Sequence, residues 1–449
     1  MKRASRLCVL LTMWAVVSVP ALPAGAAVAG TWRSAGQLPV RRVSDHTATL
    51  LQNGDVLVVG GYVAYRSSGG DMVTTAVDRF ETRTGRWKPV ARLHQARAQH
   101  TATLLADGRV LVAGGLGPAE TLLRSAEVYD PATRTWASTG DMHDARVGHT
   151  ATLLPGGKVL VAGGLGSGTS APTAFLDSAE VFDPISGTWS QAHPMGSRRV
   201  EHSATLLADG TVLVVGGDIE QRAAALRSAE VYEPSKGTWR NVSHLANTER
   251  AAHTAARLPD GTVLLAGGST RLGHGGGGIP AAFSEIYDPA AETFTRIATL
   301  VHPRIAGAAA LLPGGRVLVV GGFDRIPETL RSPAVVPSAE LYDPATRRWE
   351  VTGPLVTPPT AAGFRAMMGF VQGGNATATP LGGRACGGNC GKVLVVGGDG
   401  AKVGAQLYTP GGLRGNGGRA GAFATVLVGG AGAALATAVV VMARSRRSA

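Results

Sequence analysis

RAQHTATLLADGRVLVAGGLGPAETLLRSAEVYDPATRTW, running from Arg97 to Trp136, is the stretch that decides the fold. It opens on a strand of small residues, His100-Thr101-Ala102-Thr103-Leu104-Leu105. The Asp107-Gly108 dipeptide that follows suits a short hairpin turn. A second strand, Val110-Leu111-Val112-Ala113, is apolar at every position and ends on Gly114-Gly115. A third, Ser125-Ala126-Glu127-Val128-Tyr129-Asp130-Pro131, and a fourth centred on Trp136 complete the unit.

Outward from this stretch, the chain repeats itself. A diglycine after an apolar run occurs seven times: Gly60-Gly61, Gly114-Gly115, Gly163-Gly164, Gly216-Gly217, Gly267-Gly268, Gly321-Gly322 and Gly397-Gly398. The first six lie 49 to 54 residues apart, and the last interval is 76, so one unit carries an insertion. Copies of the third segment stand at 178–184, 228–234, 284–289 and 338–344, and the fourth is centred on Trp87, Trp189, Trp239, Phe294 and Trp349. A self-repeat of this period marks an array of identical supersecondary units.

Four short antiparallel strands per unit, with a diglycine and a downstream Trp, resemble the kelch repeat, whose units are the blades of β-propellers. The resemblance covers about residues 31 to 410. The last unit has a third strand, Ala405-Gln406-Leu407-Tyr408, but no Trp strand, while Trp32 precedes every diglycine and has no unit of its own. Thr31–Ser34 therefore supplies the outer strand of the last blade, and joining the two ends removes the exposed sheet edges. The expected fold is all-β: a seven-bladed kelch-type propeller over 30–410, closed by an N-terminal strand, plus one C-terminal transmembrane helix. Small His-Thr-Ala-Thr tracts suit the crowded axis, and strands covered on both faces are apolar throughout. The outer Trp fills the wider wedge between blades.

The net charge of +12 invites a nucleic-acid reading, but its placement argues against one. Lys2, Arg3 and Arg6 at one end, and Arg414, Arg419, Arg444, Arg446 and Arg447 at the other, account for eight of those charges. Residues 1–29 read as a secretory signal peptide: a basic start, the apolar run Leu7 to Val19, then small residues with A-x-A sites. Residues 411–421 read as a Gly/Arg-rich stalk. Residues 422–443 carry no charge and would span roughly 33 Å as a helix at about 1.5 Å per residue. The basic tail 444–449 places that end in the cytoplasm and the propeller outside the cell membrane.

Within the repeat, R-x-x-H precedes the first strand: Arg97 with His100, Arg146 with His149, Arg199 with His202 and Arg250 with His253. Arg304 has Gly307 at that spacing, and His46 has Arg42 one residue further off. Each third strand offers a glutamate: Glu127, Glu180, Glu230, Glu285 and Glu340. A buried carboxylate needs a partner, so these Arg, His and Glu residues read as repeated packing. Ligand-binding candidates lie in the loops after the diglycines: Tyr62, Tyr65, Arg66, Arg222, Arg271, His274, Asp324 and Arg325. Among these, Arg222, Arg271, His274, Asp324 and Arg325 are the residues expected to be exposed. Cys386 and Cys390, the two cysteines left after signal removal, read as a local disulfide in an insertion at 371–391. They are too few for a metal site, and no cofactor is read.

The resemblance also brings in copper-radical oxidases, whose central domain is a kelch-type propeller. That chemistry needs a Tyr-His pair and a Tyr cross-linked to Cys. Here no Tyr-His dipeptide occurs, and five of the seven tyrosines sit in repeated third strands. Sialidase Asp-boxes fail on register, since Gly directly precedes Thr-Trp at 183–189 and 233–239. The expected function is a membrane-anchored binding module for a glycan or an envelope protein. The alternative is a carbohydrate-active enzyme, such as a sugar isomerase, which predicts paired carboxylates converging at the channel mouth.

Overall fold

The computed structural model describes residues 30–40, 44–66, 70–166, 174–218, 225–244, 246–270, 279–325, 334–356, 376–382, 386–397, 405–411 and 427–428. Among these, an inner, a second, a third and an outer strand, antiparallel in that order, recur in seven sheets. The inner strands are Thr47–Leu50, Thr101–Leu104, Thr150–Leu153, Ser203–Leu206, Thr254–Arg257, Ala308–Leu311 and Ala376–Pro380. Each packs beside the inner strands of the sheets before and after it, and Ala376–Pro380 lies between Ala308–Leu311 and Thr47–Leu50. The inner strands thus run in a closed cycle around an axis.

Packing follows from the residue pattern. Second strands such as Val56–Val59 and Val110–Ala113 are buried at every position because sheets cover both faces. The core is a series of clusters between neighbouring sheets. Leu105, Leu111 and Val128 of one sheet, for example, meet Leu153, Val159 and Phe182 of the next. Each such side chain contributes about 1.5–3 kcal/mol of burial. The outer Trp136 stacks at 5.1 Å on Tyr129 of its own sheet and donates its indole N–H to the Ala91 carbonyl of the preceding unit at 2.9 Å. The diglycine lets consecutive units approach. Gly114 has φ 63°, and a Cβ there would stand 2.7 Å from the Arg146 carbonyl of the following unit.

Thr31–Ser34 pairs antiparallel with Ala405–Thr409, placing Trp32 opposite Tyr408. Cys386 and Cys390 are disulfide-bonded across the one-turn 3₁₀ segment Gly387–Asn389. Asn389, held in that turn, accepts from Arg33 Nη2 at 2.6 Å and donates to the Thr82 carbonyl at 2.7 Å. The closing strand, the last sheet and the first sheet therefore meet at one buried amide.

One expectation needs correction, and another falls mostly outside the described residues. The insertion is not the whole of 371–391, because Ala376–Pro380 is itself the inner strand of the last sheet. Its Ala-Thr-Ala-Thr sequence is the same small-residue tract found in the other inner strands. The span expected at 422–443 lies outside the described residues except for Leu427–Val428. These two are extended rather than helical and pair with Ala309 and Ala310. Inner strands present an unpaired edge to the axis, which accepts such a pairing. No helix among the described residues is long and apolar enough to cross a membrane. Residues 1–29, 412–421 and 444–449 also lie outside the described set.

Candidate functional site

The repeated Arg and Glu residues form clamps. Arg97 donates through Nη1 to the carbonyls of Gly114 (2.9 Å) and Ser125 (3.0 Å), and through Nη2 to Glu127 Oε1 (3.0 Å). Glu127 also accepts the backbone N–H groups of His94 (2.8 Å) and Gln95 (3.2 Å). The same ion pair recurs as Arg146–Glu180 (2.7 Å), Arg199–Glu230 (2.8 Å), Arg250–Glu285 (2.6 Å) and Arg304–Glu340 (2.6 Å). Burial pushes the Glu285 carboxyl up, but the Arg250 charge and the Asn247 hydrogen bonds outweigh it and hold it below its ordinary value. At the register position of these glutamates, the first and last sheets carry Asp78 and Gln406 instead.

The histidines do a different job. His100, His149, His202 and His253 each place Nε2 at 2.8–3.0 Å from the first hydroxyl of the preceding inner strand: Thr47, Thr101, Thr150 and Ser203. His46 reaches Thr377 across the closure at 3.3 Å. Burial, with the Arg199 charge adding to it, pushes His202 down to about 3. His149 and His253 are held well below the ordinary value for the same reasons, the charges there being Arg146 and Arg250. The rings of His149, His202 and His253 are thus neutral inter-sheet ties.

Immediately before each histidine, or its Gly307 equivalent, the backbone turns left-handed: Asp45, Gln99, Gly148, Glu201, Ala252 and Ala306 all have φ between 53° and 66°. For a non-glycine residue this costs roughly 1–2 kcal/mol. Bonds from each unit to the one before hold the geometry: Gln99 N–H to Asp45 O (3.0 Å), Ala252 N–H to Glu201 O (2.9 Å) and Ala306 N–H to Ala252 O (2.8 Å). These residues make a collar at the end of the inner strands. The segments leaving the diglycines pair with the residues just before it, as in Ser44 with Tyr62, Val200 with Asp218 and Ile305 with Phe323. Collar and post-diglycine loops therefore share one face.

The collar is where the chain stops being a repeat. Asp45, Gln99 and Glu201 are 7, 4 and 1% exposed, and neither carboxylate oxygen of Glu201 has a hydrogen-bond partner. Asp45 Oδ1 and Gln99 Oε1 are likewise unpartnered. Burial raises the Glu201 carboxyl well above its ordinary value, and the negative charges of Asp218 and Asp45 raise it further. Burial raises Asp45 to about 7, with the Ser44 and Gln99 side chains offsetting part of the rise. Among the described residues, no group of three His, Cys, Asp or Glu is placed to hold a metal ion.

The loop candidates fare unevenly. Asp324 is exposed. Tyr62 is 5% exposed and packs with Ala98, because the chain leaving the first diglycine forms a small hairpin, Tyr62–Arg66 with Gly70–Val73, against the next unit. Tyr65 and Arg66 fall on that hairpin and Arg325 on Phe323–Arg325, while Arg222, Arg271 and His274 lie outside the described residues. Sequence reasoning missed Asp45, Gln99, Glu201 and Asp218. The available signal was a variable residue before an otherwise repeated histidine: Asp, Gln, Gly, Glu, Ala.

The Attractin/LZTR1 β-propeller model matches residues 31–270, and the kelch motif matches 304–355. Kelch-like protein 21 of Bos taurus is 35% identical over 104 residues, 22% of this chain and 15% of that protein. A tRNA wybutosine-synthesizing protein 4 of Saccharomyces cerevisiae is 31% identical over 96 residues, 21% of this chain and 13% of that protein. The matches therefore span less than a sixth of either relative. A solved fungal alcohol oxidase of the AA5 family, in complex with copper, superposes with a TM-score of 0.63 at 19% identity, covering 85% of this chain and 76% of that one. At that identity the likeness is one of fold.

Proposed function

The chain belongs to the Attractin/LZTR1 β-propeller family, and from that premise we propose that it is a seven-bladed recognition module, tethered to the cell membrane with its propeller outside. Kelch propellers are generally protein-binding modules. The observation that carries the reading is the contrast on one face. The repeated glutamates there are each met by an arginine, while the unrepeated Asp45, Gln99 and Glu201 keep buried acceptor oxygens without a hydrogen-bond partner. Binding groups held on a rigid scaffold are how such folds acquire function. The charge-free run at 422–443 and the arginines after it support the tether. Partners of this reading are a membrane and an envelope protein or glycan.

The test is a glycan array and an envelope extract, each probed with the intact protein and with Glu201→Gln. Specific binding lost in the variant supports the reading; specific binding that survives it, together with Arg222→Ala and Asp324→Ala, contradicts the assignment to this face. One observation favours a sugar-processing enzyme as a second reading: Glu201 and Asp45 are carboxyls with raised affinity for protons on the same collar. Turnover of an oligosaccharide, abolished by Glu201→Gln, would establish it.

A further inference from the structure

We propose that the collar residues Asp45, Gln99 and Glu201 form a receptor for an organic cation, an ammonium or guanidinium group. The inference rests on reading this face as the binding face and names the chemistry that it takes.

Buried ions left without a counter-charge cost several kcal/mol each, so a folded chain either protonates such carboxyls or supplies a cation. Among the described residues, the charges acting on Glu201 are those of Asp218 and Asp45, both of its own sign. The five clamp arginines bind the glutamates of their own sheets, so they are not the missing counter-charge. Both Glu201 oxygens, Asp45 Oδ1 and the neutral acceptor Gln99 Oε1 are buried and have no hydrogen-bond partner. A guanidinium carries five N–H donors and an ammonium three, and each bonds a carboxylate over 2.7–2.9 Å rather than through inner-shell coordination. That suits a site where no three ligands are set for a metal.

The collar is also two-sided. Past Glu201 the same left-handed positions are Ala252 and Ala306, fully buried and without polar side-chain atoms. Polar and apolar residues thus occupy different parts of the collar, the combination that suits a long cationic side chain with an alkyl stem and a charged head.

Binding displaces protons. Glu201 faces Asp218 and Asp45, and Asp45 faces Ser44 and Gln99, so the cation replaces protons that burial otherwise holds there. Calorimetry on the intact protein in detergent, with N-acetylarginine methylamide, n-butylammonium and glucosamine as probes, tests this. Saturable binding is expected at pH 8, weakening about tenfold per pH unit below 7 with proton release. The first two probes favoured over glucosamine indicate a polypeptide side chain; the reverse order indicates an amino sugar. Glu201→Gln and Asp45→Asn keep shape and suit the left-handed backbone, and each is expected to weaken binding about ten- to a hundredfold without lowering the melting temperature. No saturable binding of any amine at pH 8, unchanged affinity in both variants, or calcium bound in their place would overturn the proposal. If the amines fail while an envelope ligand still binds, the cation inference falls and the recognition reading stands.

Discussion

The clamps and the collar sit a few residues apart in the chain, and both bury charge, yet they treat it in opposite ways. Each clamp glutamate receives an arginine and backbone N–H groups, as Glu180 receives Arg146 and the N–H groups of His143 and Asp144. In the collar, Glu201 receives none. A charge that recurs with its partner belongs to the scaffold. A charge that occurs once, without one, belongs to whatever the scaffold presents. Stability should therefore follow the clamps and histidine ties, and binding should follow the collar.

The largest expected effect comes from acid. His202 is held at about 3 against an ordinary 6.5, so its contribution to stability is present above pH 6.5 and is lost as the pH falls toward 3. His149 and His253 act in the same direction. Together they are expected to remove on the order of 5 kcal/mol or more, unfolding the propeller within that window. Circular dichroism against pH measures this, and His202→Gln should move the midpoint down. A midpoint unmoved by the variant would show that the ties do not control acid stability.

Next in size is a broken clamp. Arg146→Ala leaves Glu180 buried without its counter-charge and is expected to cost about 3–5 kcal/mol in urea unfolding. The double replacement Arg146→Met, Glu180→Leu should cost less than the single one, because it removes the stranded charge. The collar is expected to respond with the opposite sign. Asp45, raised to about 7, contributes stability present below pH 3.8 and lost as the pH rises through 7. Asp45→Asn should thus gain up to about 4 kcal/mol over the parent at pH 8 and nothing at pH 3. The smallest effect is expected at the closure. Asn389→Ala removes a buried hydrogen bond to Thr82 and partly buried ones from Arg33 and Lys392, for about 1–3 kcal/mol. Hydrogen exchange should quicken first in Thr31–Ser34.

Much of the scaffold was legible because repetition writes it several times over. The diglycines, the S-A-E-V-Y-D-P strands and the stray Trp32 led directly to the sheets and to Thr31–Ser34 as the outer strand of the last one. The Arg and Glu residues of the clamps were legible as partners, though not that histidine would bond the neighbouring hydroxyl instead. The collar was not legible, since its defining property is a left-handed backbone at residues whose identity varies from unit to unit. Tyr62 misled because a residue after a diglycine reads as loop, while here it begins a hairpin packed on the next unit.

The most direct test of the division between scaffold and collar is a paired measurement on Glu201→Gln: its unfolding free energy at pH 8 and its affinity for N-acetylarginine methylamide. Stability equal to or above the parent, with affinity reduced at least tenfold, is the predicted result. A destabilised variant that binds as the parent does would place Glu201 in the scaffold and contradict the account.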